Sequence, residues 1–160
     1  MFSGEEMAAT LSGLGVTHVV WLPDSELGPW ESALMTCPEL SLVRVCREGE
    51  AWALAAGLHL GGKRPLVMIQ CTGLFESGDA LRNVLFDLRI PLFAVIGYRS
   101  YLVENSPDTA RRFVEPILKT WGIDYRVIAR KEDKPRLIDH FQACAAGQRP
   151  GAALIAEGRM

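Results

Sequence analysis

A strand meets a helix in the stretch Leu42-Val43-Arg44-Val45-Cys46-Arg47-Glu48-Gly49-Glu50-Ala51. The apolar residues at its start predict a short strand, and the Ala- and Leu-rich run that follows, to Leu60, predicts a helix. Glu48 therefore falls at the carboxyl end of a strand, where open α/β sheets have their binding sites. A carboxylate in such a crevice serves chemistry or a partner, because burying an uncompensated charge is costly. Alternatively, Glu48 only places negative charge at the start of the helix.

The same alternation of strands and helices runs through the whole chain. Apolar runs predict strands at residues 17–22, 42–45, 65–70, 92–96, 125–128 and 152–156, and helices at about 4–14, 27–36, 48–60, 76–87, 109–121 and from 133 onward. Several strand runs are continuously apolar, as expected when helices cover both faces of a parallel sheet. We predict a single three-layer α/β/α domain over residues 1–160, with about six mostly parallel strands.

The composition is that of a compact globular protein. Of 160 residues, 49% are hydrophobic and 22% are charged, and the net charge of −2 gives no basic surplus for nucleic acid. The four cysteines form no C-x-x-C pair and no metal-like spacing with the three histidines, which is typical of reduced thiols. No basic leader and no apolar run of membrane-spanning length occurs. We expect a cytoplasmic protein without a nucleic-acid partner, a membrane segment or metal ligands of its own.

Polar residues follow each of the first four predicted strands. They are Asp24 and Ser25 after the first, Glu48 after the second, Gln70, Thr72 and Gly73 after the third, and Arg99 after the fourth. Because the carboxyl ends of parallel strands share one edge of a sheet, these residues are expected to gather there. Each has an ordinary alternative, such as a turn or helix cap for Asp24 and Ser25, a simple turn for Gly73, or solvation for Arg99. Their coincidence on one edge predicts a functional site.

Four segments, in order and at similar spacing, resemble a known family. They are Leu22-Pro23-Asp24-Ser25, Arg47-Glu48-Gly49 with the helix after it, Gln70-Cys71-Thr72-Gly73-Leu74, and Ile90 through Arg99. Together they resemble the pyrimidine-binding domain of thiamine-diphosphate-dependent enzymes. The resemblance is strongest to the alpha subunit of sulfopyruvate decarboxylase and the matching half of phosphonopyruvate decarboxylase, and it covers almost the whole chain. It implies the thiamine-diphosphate-binding fold and a subunit of a 2-oxo acid decarboxylase acting on sulfopyruvate or phosphonopyruvate.

The resemblance also implies roles for the polar residues at the predicted edge. It assigns Glu48, Gln70, Thr72 and Gly73 to the cofactor, and Asp24, Ser25 and Arg99 to the substrate. In this family a glutamate, here Glu48, hydrogen-bonds N1′ of the cofactor's aminopyrimidine and so activates the cofactor. That task needs a carboxylate in a fairly dry pocket, where the hydrogen bond is strong. Glu50 is expected to point elsewhere along the helix.

A second half of the active site is expected on another chain. Enzymes of this family hold Mg²⁺ and the diphosphate on a domain with a Gly-Asp-Gly…Asn motif, whereas Ser77-Gly78-Asp79-Ala80 lacks the second glycine. The resemblance therefore implies a separate diphosphate-binding beta subunit that carries the magnesium ligands. It also implies a hetero-oligomer with at least two copies of each chain.

Some positions depart from the family and leave other functions open. Phe75 and Glu76 stand where the nearest decarboxylases favour Gly and Asn, and Thr109 stands where a His is common. A carboxylate at Glu76 would disfavour an anionic substrate tail if it faced the pocket, whereas Arg99 would favour one. Two alternatives remain beside decarboxylation. One is a carboligase subunit of the acetolactate-synthase type, and the other is a non-catalytic interaction module of the same fold.

Overall fold

Six strands form one sheet in the computed structural model, which describes residues 2–25 and 27–158. The strands are β1 (His18–Trp21), β2 (Ser41–Arg44), β3 (Pro65–Gln70), β4 (Phe93–Tyr98), β5 (Asp124–Ile128) and β6 (Gly151–Ala156). Their order is β2-β1-β3-β4-β6-β5, and every neighbouring pair is parallel. The predicted parallel sheet is confirmed.

Helices connect the strands. They are α1 (Gly4–Gly13), α2 (Glu31–Thr36), α3 (Glu48–Leu60), α4 (Cys71–Arg82), α5 (Ala110–Thr120) and α6 (Lys134–Ala146). A 3₁₀ turn, Gly28–Trp30, leads into α2, another, Lys131–Asp133, leads into α6, and a π-helical turn, Asn83–Asp87, follows α4. None of the helices in the described part of the chain is long and apolar enough to cross a bilayer.

Two apolar cores lie on opposite faces of the sheet. Because side chains alternate along a strand, Val20 and Val67 point to one face while Val19 and Leu66 point to the other. Helices α3, α4 and α5 cover the first face, with residues such as Trp52, Leu74 and Val114. Helices α1, α2 and α6 cover the second, with residues such as Met7, Leu34 and Phe141. The predicted three-layer α/β/α arrangement is therefore confirmed.

One predicted helix start was wrong. Helix α4 begins at Cys71 rather than at about residue 76, so Thr72 and Gly73 lie in its first turn instead of in a loop. The polar residues and the glycine there have weak helix propensity, and tertiary packing overrides it. Helix α5 follows Thr109, close to its expected start, and Asp108 Oδ1 rather than the Thr109 hydroxyl accepts the N–H of Ala110, at 3.0 Å.

The chain changes direction at the carboxyl ends of β1 and β3. After β1 it turns into α2 on one face of the sheet, and after β3 it turns into α4 on the other face. Since the two connections part on opposite sides, these neighbouring strand ends form a topological switch point, which is the usual ligand position in open α/β sheets. The segments that carry the predicted site residues follow the carboxyl ends of the strands along this edge of the sheet.

Candidate functional site at the carboxyl edge of the sheet

Glu48 lies directly against the backbone of Gly73. Glu48 is the first residue of α3 and is half-buried, and Gly73 is buried in the first turn of α4. A methyl group built on Gly73 would lie 2.6 Å from Glu48 Oε1 and 2.7 Å from its Cδ, and closer still to its Cγ. Only a residue without a side chain leaves room for the Glu48 carboxylate in this position. The structure thus brings together two residues that the sequence places 25 positions apart.

The other carboxylates near Glu48 are engaged elsewhere. Glu50 Oε2 accepts the backbone N–H of Cys46 at 3.1 Å, so Glu50 points away as expected. Glu76 Oε2 accepts the N–H of Gly49 at 2.9 Å, and its Oε1 accepts from Arg47 Nη2 at 2.9 Å. These hydrogen bonds, that from Gly49 first, hold the pKa of Glu76 below its usual value. The residues that the structure describes offer the Glu48 carboxylate no hydrogen-bond or ion-pair partner.

Gln70 and Thr72 flank the start of α4 beside Gly73. Both are half-buried, and the Thr72 hydroxyl donates to Gln70 Oε1 at 3.1 Å. Gln70 has extended backbone angles (φ −85°, ψ 165°) and precedes the first helical residue, so β3 passes into α4 without a loop. Gly73 thus lies against the Glu48 side chain, and Gln70 and Thr72 lie next to Gly73 in the chain, where β3 passes into α4.

A second group of carboxylates lies at the end of β4. A methyl group built on Gly97 would lie 3.0 Å from Asp24 Oδ2 and 3.1 Å from Glu157 Cδ. Asp24 also has the ordinary turn role, because its Oδ1 accepts the N–H of Leu27 at 2.7 Å. Ser25 is exposed on that turn. Glu157, which is 1% exposed, was missed in the sequence, although it directly follows the last predicted strand and so had to fall on this edge.

Arg99 is paired with Asp108. Its Nε donates to Asp108 Oδ2 at 2.6 Å and its Nη2 donates to Oδ1 at 2.8 Å, while the Ser100 hydroxyl donates to Oδ2 at 3.0 Å. The Arg99 guanidinium holds the pKa of the Asp108 carboxyl well below its usual value, helped by the N–H of Ala110 and by Ser100. An anion that approaches Arg99 would therefore meet an existing ion pair.

Several known proteins are similar to this chain. No protein-family model matches the chain. Phosphonopyruvate decarboxylase of Streptomyces viridochromogenes is 35% identical over 149 residues, which cover 91% of this chain and 37% of that protein. The alpha subunit of sulfopyruvate decarboxylase from Methanocaldococcus jannaschii is 33% identical over 96 residues, or 59% of this chain and 57% of that subunit. The chain is thus similar to phosphonopyruvate and sulfopyruvate decarboxylases.

A solved structure has the same fold as this chain. Benzoylformate decarboxylase from Polynucleobacter necessarius superposes with a TM-score of 0.73 over 98% of this chain and 30% of that one, at 24% identity. The match confirms the predicted three-layer α/β/α fold. The chain spans 37% of the Streptomyces viridochromogenes protein and 59% of the alpha subunit from Methanothermobacter thermautotrophicus.

The Arg99–Asp108 ion pair is expected to make a pH-dependent contribution to the free energy of unfolding. The folded-state pKa of Asp108 lies below the unfolded value of about 3.9, so its contribution is present above that pH and is lost as the pH falls. We expect Asp108→Asn to lower the free energy of unfolding at pH 7 by about 1–2 kcal/mol, because Arg99 is partly exposed to water. Urea denaturation should show this deficit shrinking below about pH 4. Asp87→Asn, which alters an exposed pair with Arg82, is the matched control. An Asp108→Asn deficit that stayed constant with pH would contradict the assignment.

Two cysteines of this protein, Cys46 and Cys71, are expected to differ sharply in reactivity. Cys71 is fully buried at the start of α4, and burial raises the pKa of its thiol to about 11. Cys46 is exposed. Since the thiolate is the reactive form, iodoacetamide at pH 8 should alkylate Cys46 in the folded protein and Cys71 only after unfolding. Peptide mass spectrometry measures both, with Cys46→Ser as the control. Rapid native labelling of Cys71 would show that this helix start is open.

Proposed function

We propose that this chain is the pyrimidine-binding subunit of a thiamine-diphosphate-dependent 2-oxo acid decarboxylase, in which Glu48 activates the cofactor. One observation carries the proposal. The half-buried Glu48 carboxylate stands at the carboxyl edge of a parallel sheet, on a surface that Gly73 leaves free of side chains. The names of the relatives support decarboxylation as the reaction.

The residues around Glu48 suit a flat, hydrogen-bonding ring. Glu48, Gln70, Thr72 and Gly73 would hold the aminopyrimidine of thiamine diphosphate, with the Glu48 carboxylate at N1′. Bound thiamine diphosphate supplies the electron sink for loss of carbon dioxide. Glu48 would hold a proton against N1′, and its half-buried position would strengthen that hydrogen bond because the local dielectric is low. Helix α4 beneath it would limit the positions that the carboxylate can take.

We further propose that the diphosphate and Mg²⁺ are held by a separate beta subunit. Several relatives are named as alpha subunits, which supports a division of the enzyme between two chains. The assembly would contain at least two copies of each chain, so that each active site lies between different subunits. A cytoplasmic location would suit the four cysteines, all of which are free thiols.

The proposed substrate is a small 2-oxo acid, sulfopyruvate or phosphonopyruvate. This proposal rests on the names of the relatives. The proposed contacts are Asp24, Ser25 and Arg99. Since Arg99 is already neutralised by Asp108, and since Asp24 and Glu157 add carboxylates nearby, a sulfonate or phosphonate group would need further cations. The beta subunit is the proposed source of those cations.

A tagged purification from the native source tests the proposal. We expect a co-purifying chain with a Gly-Asp-Gly…Asn segment, about one thiamine diphosphate for each pair of chains, and release of carbon dioxide from one of the two 2-oxo acids. Assays with and without an acceptor 2-oxo acid identify the product. Ligated product alone would instead indicate a carboligase. The opposite result is a chain that purifies without cofactor and with partners that show no cofactor requirement. That result would overturn the proposal of an enzyme and favour an interaction module.

A further inference from the structure

One face of α4 lies across the first turns of α3. Gly73, Glu76 and Ser77 share this face because residues three and four apart are neighbours on a helix. Gly73 underlies Glu48, and the Ser77 hydroxyl accepts the indole N–H of Trp52 at 2.9 Å. Glu76 stands between these two contacts. The three residues therefore hold the start of α3 at three successive points.

Glu76 binds the two residues on either side of Glu48. Its Oε2 accepts the N–H of Gly49 at 2.9 Å, and its Oε1 accepts from Arg47 Nη2 at 2.9 Å and Nε at 3.2 Å. Arg47 precedes α3 with extended backbone angles (φ −145°, ψ 145°) and provides no side-chain cap. Glu76 thus supplies from another helix the carboxylate that a helix start favours. Fixing the backbone on both sides of Glu48 also fixes the direction in which its side chain leaves the helix.

Glu76 also forms an ion pair with Arg47, the residue that directly precedes Glu48. A guanidinium binds carboxylates strongly, so an unengaged Arg47 could pair with Glu48 and block its oxygens. In the structure the Arg47 guanidinium binds the carboxylate of Glu76 and not that of Glu48. Because the Arg47 side chain is 78% exposed, this ion pair contributes little to folding stability. Its effect would therefore fall on the geometry of Glu48 rather than on the stability of the domain.

We propose that Glu76 is a positioning residue for Glu48. It holds Gly49 and Arg47 so that the Glu48 carboxylate stays above Gly73 and remains available to a ligand. This role rests on the proposed function of Glu48. It also gives the carboxylate at position 76 a purpose other than repelling an anionic substrate, since the side chain is turned toward α3.

The test compares Glu76→Ala with Glu76→Gln in the complex purified with its partner chain. Glutamine keeps an oxygen that can accept the Gly49 N–H, whereas alanine removes both contacts. We expect Glu76→Ala to lower kcat about 10–100-fold and to weaken thiamine diphosphate binding, with the KM for the 2-oxo acid little changed. Amide hydrogen exchange at Gly49 should become faster in the alanine variant. Glutamine should restore most of each property. The urea midpoint of the glutamine variant should match that of wild type, and that of the alanine variant, which loses the hydrogen bond at the start of α3, should fall only slightly.

The control is Asp79→Asn, an exposed residue of the same helix that pairs with Arg82. It is expected to leave turnover, cofactor affinity and Gly49 exchange unchanged. An active wild-type complex whose alanine variant kept normal kcat would overturn the role of Glu76 alone. So would glutamine and alanine variants that lost activity equally. A wild-type complex that neither bound thiamine diphosphate nor released carbon dioxide would overturn the proposed function, and this role with it.

Discussion

Replacing Glu48 with Gln is expected to reduce turnover of the assembled enzyme by about 10²–10⁴-fold while the fold stays intact. Glutamine preserves the size of the side chain above Gly73, but its amide can only donate a hydrogen bond to the proposed cofactor and cannot exchange a proton with it as a carboxyl group can. The expected defect lies in kcat, because the substrate contacts proposed for Asp24, Ser25 and Arg99 belong to other loops. Steady-state decarboxylation, together with the stoichiometry of the purified complex, measures both properties.

The matched control for this variant is Glu50→Gln. Glu50 lies in the same helical turn, and its Oε2 accepts the backbone N–H of Cys46. A glutamine oxygen can accept the same hydrogen bond, so this variant is expected to retain near-normal turnover. Decarboxylation by Glu48→Gln at close to the wild-type rate, in a complex that contains both chains and cofactor, would reject Glu48 as the activating carboxylate.

The second large loss of turnover is expected when one methyl group is added at Gly73. In Gly73→Ala the new Cβ would lie 2.6 Å from Glu48 Oε1 if nothing moved, which is closer than real Cβ contacts occur. Glu48 is half-buried, so its side chain can swing away while the backbone stays in place. Alanine also favours a helix over glycine by about 1 kcal/mol, which offsets part of the strain. Turnover should therefore fall about 100-fold, because misplacing a catalytic group by about 1 Å has this effect, while stability changes little.

The control for the methyl group is Gly57→Ala in α3. A methyl group at Gly57 meets no atom within 4 Å, so this variant should keep full turnover and gain a few tenths of a kcal/mol in stability. A double variant carrying Gly73→Ala and Glu48→Gln should be no less active than Glu48→Gln alone, because both changes act on one carboxylate. Fully multiplicative losses, or a Gly73→Ala variant with normal kcat, would refute the contact as a requirement for activity.

Long apolar runs made much of the fold predictable. Helix α3 and strand β3 match the expected ranges 48–60 and 65–70, because hydrophobic burial and helix-forming residues favour the same assignment. The start of α4 was not predictable in this way. Gly73 and its polar neighbours disfavour a helix locally, and only the packing of α4 against α3 shows why a glycine is needed there.

The sequence by itself determined which residues share an edge, because strand ends in a parallel sheet point the same way. It placed Glu48, Gln70 and Arg99 there from their positions after apolar runs. Tertiary structure alone decided what each side chain contacts. The pairing of Arg99 with Asp108, the turn of Glu76 toward Gly49 and the approach of Glu157 to Gly97 are examples. Local patterns cannot specify such contacts, since each depends on how separate elements pack and which rotamers the packing allows.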